Sequence, residues 1–120
     1  MTELFNAFCE YQILLKLFHF QTNSYAAHKA SDAHLTLIQG HFDRFFEVYQ
    51  GIFGRIKLEG RQSIKYSNVY KTETVIESTL KFSDLLESFS YQLEDNSDLV
   101  NIIDEIVADN NQFLYLLSFE

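Results

Sequence analysis

Four residues in one segment have the spacing of metal ligands: His28-x3-Asp32 followed by Asp43-x3-Glu47. In a helix, residues four apart stand one turn above each other, so each pair can aim two donors at one point. Asp32 and Asp43 are eleven residues apart, which is three helical turns with only about 20° of drift. On a wheel with His28 at zero, Asp32, Asp43 and Glu47 fall near roughly 40°, 60° and 100°. They form a single polar stripe. Imidazole nitrogen together with carboxylate oxygen suits iron, manganese or zinc. Distance decides how such an ion would be held. Eleven residues of helix rise about 16 Å, whereas a metal–ligand bond is about 2 Å long. One chain cannot close both pairs on one ion. A second copy of the helix, antiparallel across a two-fold axis, would set each pair opposite the other. Two equivalent sites would result, each drawing ligands from both chains. Without that partner, the same residues read as a solvated helix flank.

The remaining reactive side chains are expected to play quieter parts. His34 and His41 project near roughly 240° and 220° on the same wheel, which makes them surface or core-edge histidines. Cys9 is the single cysteine, so neither an intrachain disulfide nor a Cys-based zinc site can form, and it reads as a small buried hydrophobe. Paired Glu-x-x-His motifs are absent, and no histidine follows His41, which sets aside large-ferritin and hemerythrin-type metal sites. Nothing resembles a nucleophile elbow or a phosphate-binding glycine loop.

These residues need elements to position them. The chain has 120 residues, 47% of them hydrophobic, with 12 Phe and 7 Tyr to fill a core. That predicts one globular domain over residues 1–120. Zero Pro and four Gly, three of them between 51 and 60, point to long helices with a central break. Leu4, Phe8, Tyr11, Leu15 and Phe18 recur at helical spacing and predict a helix over 3–21. Thr22-Asn23-Ser24 supplies turn and cap chemistry. A second helix is expected from about 26 to 50, with Leu35, Ile38, Phe42, Phe45, Phe46, Tyr49 and Phe53 inward and Gly51 and Gly54 ending it. Residues 55–70 lack a helical period and read as a crossover. A third helix is expected over about 72–92, burying Val75, Ile76, Leu80, Phe82, Leu85, Leu86 and Phe89. The cluster Asp95-Asn96-Ser97-Asp98 should cap a fourth, over about 97–117, which buries Ile102, Ile103, Ile106, Phe113, Leu114 and Leu117. Four helices with one long middle connection predict an all-α four-helix bundle of ferritin-like connectivity.

Charge narrows the partners. Residues 55–71 carry five basic residues against one acid, whereas residues 72–120 carry one Lys against eleven acids. An acidic second half argues against general nucleic-acid binding, and the basic connection reads as a solvated loop balancing it. No apolar run approaches the roughly 18 residues of a membrane span. The acidic opening MTELFNAFCE does not read as a secretory signal, so a cytoplasmic address is expected.

The stripe resembles the iron site of the Dps proteins, the DNA-protecting mini-ferritins. That site is written His, His-x3-Asp, Asp-x3-Glu, and His28, Asp32, Asp43 and Glu47 match it with internal spacing intact. His19, at the end of the first helix, corresponds to the family's first histidine. The spacing from His19 to His28 is nine residues, three fewer than is usual there. Phe20 stands where those proteins usually carry Trp, and their Lys-rich DNA-binding tail has no counterpart in MTELFNAFCE. The chain is also similar to short ferritin-like proteins of phages and large DNA viruses, around HFQTNSYAAHKASD, FFEVYQGIFGRI and LYLL.

The resemblance implies a homodimer or larger homo-oligomer that binds iron between second helices. There Fe(II) would be oxidised for iron sequestration and oxidative protection. His19, His28 and Asp32 would come from one chain and Asp43 and Glu47 from the other; another divalent metal could replace iron. The other reading is a ferritin-like scaffold without turnover, a structural or interaction protein of a phage or large DNA virus. The shortened histidine spacing and the missing Trp favour the scaffold. The intact four-residue motif favours the iron site.

Overall fold

A computed structural model describes residues 1–119. Its helices are α1 (Thr2–Gln21), α2 (Tyr25–Phe53), α3 (Thr72–Gln92) and α4 (Ser97–Leu117), and no strand occurs among the described residues. The apolar spacing of the first segment sets its buried face: Leu4, Phe8, Tyr11, Leu15 and Phe18 all point inward. Ser24 then caps α2, its hydroxyl accepting the Ala27 N–H at 3.1 Å, while Thr22 Oγ1 accepts the Ser24 N–H at 3.1 Å. So tight a turn reverses the chain. α2 runs back along α1, with Phe42 stacked on Phe8 at 4.9 Å and Phe46 edge-on to Phe5 at 5.5 Å.

α2 runs one turn past its expected end. Gly51 lies within the helix, and the stop is Gly54 at φ +88°, a backbone conformation costly for any residue with a Cβ. Residues 54–71 then form a strap without regular structure, held by side chains. Gln50 Oε1 accepts the Ile56 N–H at 3.2 Å, and Thr2 Oγ1 accepts the Glu59 N–H at 3.2 Å. Asn6 donates to Gln62 at 2.8 Å; Gln21 takes the Val69 N–H at 2.6 Å and donates to Asn68 Oδ1 at 3.0 Å. The strap therefore follows α1 from its first turn to its last. It delivers α3 antiparallel to α1, with Phe82 against Phe8 and Tyr11. A short turn leads into α4, whose cap residue Asn96 makes no side-chain bond.

Each helix packs mainly on two others: α1 and α4 both contact α2 and α3. The four make one bundle with a shared core, in which Phe8, Phe18, Phe45 and Phe113 are fully buried. Burial of each such ring contributes roughly 2–3 kcal/mol. No helix among the described residues is long and apolar enough to cross a membrane.

Several expected core positions lie elsewhere. Phe53 is 52% exposed because the last turn of α2 projects past the core, and Leu80 is 48% exposed. The buried stripe of α3 is Val75, Thr79, Phe82, Ser83, Leu86 and Phe89. Thr79 takes the inward position, which turns Leu80 out and leaves Ile76 and Leu85 half-buried. Phe42, Tyr49 and Leu114 are half-buried too, and so is Cys9, contrary to its expected burial.

Candidate metal centre

His19 lies in the last turn of α1 and His28 in the first turn of α2, so the short turn between the helices sets the rings side by side. Their centroids are 3.9 Å apart and their planes only 15° from parallel. Crossed hydrogen bonds fix both. His19 Nδ1 donates to the His28 carbonyl at 2.9 Å, and His28 Nδ1 donates to the His19 carbonyl at 2.6 Å. A carbonyl can only accept, so each Nδ1 carries a proton. In a neutral imidazole that leaves the lone pair on Nε2. Main-chain carbonyls are common partners for the second nitrogen of metal-binding histidines, because they hold the ring still in the ligating tautomer. The nine-residue spacing suffices to bring the pair together.

The surroundings are open. Tyr25 stacks over His28 at 6.1 Å and is 74% exposed, and Phe20 leans against His19 at 5.3 Å, with Lys16 Nζ 5.1 Å above its ring. Asp32, Asp43 and Glu47 are exposed along α2. Among the described residues, no three His, Cys, Asp or Glu side chains of one chain gather closely enough to hold a metal ion. The chain brings His19 and His28 together and leaves the three carboxylates spread along the helix. His28 with Glu47, and Asp32 with Asp43, are symmetric about the Leu37–Ile38 bond. Exposed Thr36 and Gln39, near roughly 80° and 20° on the wheel, lie at that centre on the face of the stripe.

His34 is no surface or core-edge residue. It is 3% exposed, with its ring stacked on Phe113 at 4.2 Å. Its Nε2 lies 3.0 Å from both Tyr11 Oη and Asn110 Oδ1. The amide oxygen can only accept, so Nε2 donates. Thr79 gives its proton to the Val75 carbonyl at 2.8 Å and accepts from Tyr11 at 2.8 Å. Asn110 Nδ2 donates to Ser83 at 2.9 Å. One connected network thus joins all four helices. Burial lowers the His34 pKa to about 4, and burial pushes the Tyr11 hydroxyl well above its usual range. Two turns along, half-buried His41 pairs with Asp109 at 2.6 Å. The network carried a readable signal: Thr79 and Asn110 occupy apolar register positions in their helices.

A family model spans the histidine pair and nearly everything after it, matching residues 19–117. The chain belongs to DUF5856, a family of unknown function. Matching from His19 onward, the DUF5856 region holds both rings of the stacked pair, the α2 stripe and His34 with Asn110. No curated protein and no solved structure matches the chain.

Proposed function

We propose that the chain is a Dps-like, ferritin-like protein that oxidises Fe(II) at sites shared between two antiparallel α2 helices. The crossed hydrogen bonds of His19 and His28 carry this reading, because they leave two Nε2 lone pairs on one rigid platform. Fe(II) is the substrate. A mixed nitrogen and carboxylate set holds Fe(III) better than Fe(II) and so favours electron loss to peroxide or dioxygen. A half-turn about the Leu37–Ile38 bond exchanges His28 with Glu47 and Asp32 with Asp43. It would bring the partner's acidic pair to each histidine platform. Exposed Thr36 and Gln39, with Gly40 beside them, suit close approach of two such helices. The second reading, a scaffold without turnover in a phage or large DNA virus, draws on Phe20 standing where the Dps proteins usually carry Trp.

Anaerobic Fe(II) titration followed by oxidant separates the two readings. Asp43→Ala and Glu47→Ala should each abolish binding with the fold unchanged by circular dichroism. Mixing Asp32→Ala chains with Glu47→Ala chains should restore about a quarter of wild-type activity, since half the dimers keep one complete site. Sedimentation should show at least a dimer, and Thr36→Glu with Gln39→Glu, which sets like charges across the axis, should yield monomers. Wild-type protein that neither binds nor oxidises Fe(II) leaves the scaffold reading.

A further inference from the structure

A cleft lies away from the histidine pair, between α1, α3 and the strap, with a volume of about 400 Å³. That is within the roughly 300–1,000 Å³ of small-molecule sites. Its apolar lining is Leu14 and Leu17 from α1, Phe82 and Leu85 from α3, and Val69 from the strap. Its charges are Lys65, Lys81 and Glu10. Lys81 is the one basic residue in the strongly acidic stretch 72–120. Lys65 belongs to the basic strap. The sole ion pair among the described residues is His41–Asp109, so neither ammonium has a carboxylate of the described residues within 4.0 Å.

The strap forms the outer wall, and its position is set. Asn6 holds it at Gln62 and Gln21 holds it at Asn68 and Val69. Between these ties, Lys65 and Tyr66 line the cleft, and the Tyr66 ring is 69% exposed. Ser67, Ser78 and Thr74 add hydroxyls to the lining. Apolar walls with a few convergent polar groups make a binding site rather than a plain surface groove. Two lysines against one glutamate leave one net positive charge. Ammonium groups are compact point charges that accept a carboxylate or a sulfonate without a fixed fork geometry.

We propose that this cleft binds a small organic monoanion with an apolar body, its head group held by Lys65 and Lys81. The tail would lie on Leu14, Leu17, Phe82 and Leu85, and Tyr66 would cover it. A bare inorganic anion gains nothing from that apolar lining. A neutral tail leaves two ammonium groups unpaired.

Calorimetric titration of the full chain with octanoate, 1-octanol and inorganic phosphate tests this. Octanoate should bind one per chain with a Kd below about 1 mM. 1-Octanol should bind at least tenfold more weakly, and phosphate should not compete. Raising salt to about 0.5 M should weaken octanoate several-fold, because the cleft is open to solvent. Lys65→Gln with Lys81→Gln should lower octanoate affinity at least tenfold at an unchanged melting temperature. Ser78→Trp, which fills the cleft from α3, should block binding by a different route. Octanol binding as tightly as octanoate, or a double lysine variant that binds octanoate like wild type, would overturn the proposal.

Discussion

Histidine rings at two places on the same helix hairpin are wired in opposite ways. At its closed end, His19 and His28 give their Nδ1 protons to each other's main chain and keep Nε2 free. Two turns further in, His34 commits Nε2–H to Tyr11 and Asn110, and its ring is sealed against Phe113. Both places hold imidazole rigidly. The difference lies in which nitrogen remains and what it faces. A ring fixed through Nδ1 beside solvent can accept a ligand. One fixed through Nε2 inside the core can only hold the fold.

The sharpest way to break this contrast is Asn110→Ala. It strips partners from His34 and Ser83 inside the core, where unsatisfied polar groups are costly. Chemical denaturation should show a loss of about 3 kcal/mol, with any metal binding at the His19/His28 pair retained. A loss below about 1 kcal/mol would mean that the network contributes little.

The next effect is set by pH. His34 has a folded pKa of about 4, below its ordinary 6.5, because burial disfavours the charged ring. The unfolded chain therefore binds the extra proton first. This contribution is fully present above about pH 6.5 and is lost as pH falls towards 4. Between pH 7 and pH 5 it amounts to about 2 kcal/mol. His34→Gln should flatten that part of the stability curve.

Smaller still is the expected effect on stability at the pair itself. His19→Ala and His28→Ala should each weaken Fe(II) or Zn(II) binding at least tenfold yet cost no more than about 1 kcal/mol of stability. Equal losses of stability at His28 and at His34 would erase the distinction between the two regions. The smallest effect belongs to His41→Ala. Its bond to Asp109 is partly exposed, and such pairs typically contribute less than about 1 kcal/mol.

Much of this was legible in residue spacing. Leu4, Phe8, Tyr11, Leu15 and Phe18 define α1, and the bounds of α3 and α4 follow from their apolar stripes. The neighbourhood of His19 and His28 follows from a short turn between two helices. Their crossed hydrogen bonds do not, because a tautomer depends on carbonyls that only the folded hairpin presents. His34 was misplaced for a related reason. A wheel reports direction, but the partners that make a buried imidazole tolerable come from α1 and α4. Thr79 rather than Leu80 lies inward because it shares the helical register of Val75, Phe82, Leu86 and Phe89. The cleft between α1 and α3 had no local signature, as its walls are far apart along the chain.

The strap gives the molecule a natural seam. Lys57 and Arg61 are exposed between the ties at Gln50 and at Gln62, so a protease can reach a stretch whose loss removes little burial. Cleavage there divides the chain into two helical hairpins, α1–α2 and α3–α4. The contacts that cross between them, α1 on α3 and α2 on α4, are those that complete the core. Neither half can bury its apolar face alone. A trypsin-nicked molecule should therefore keep its helical circular dichroism and migrate as one particle, and two separately made halves should fold on meeting.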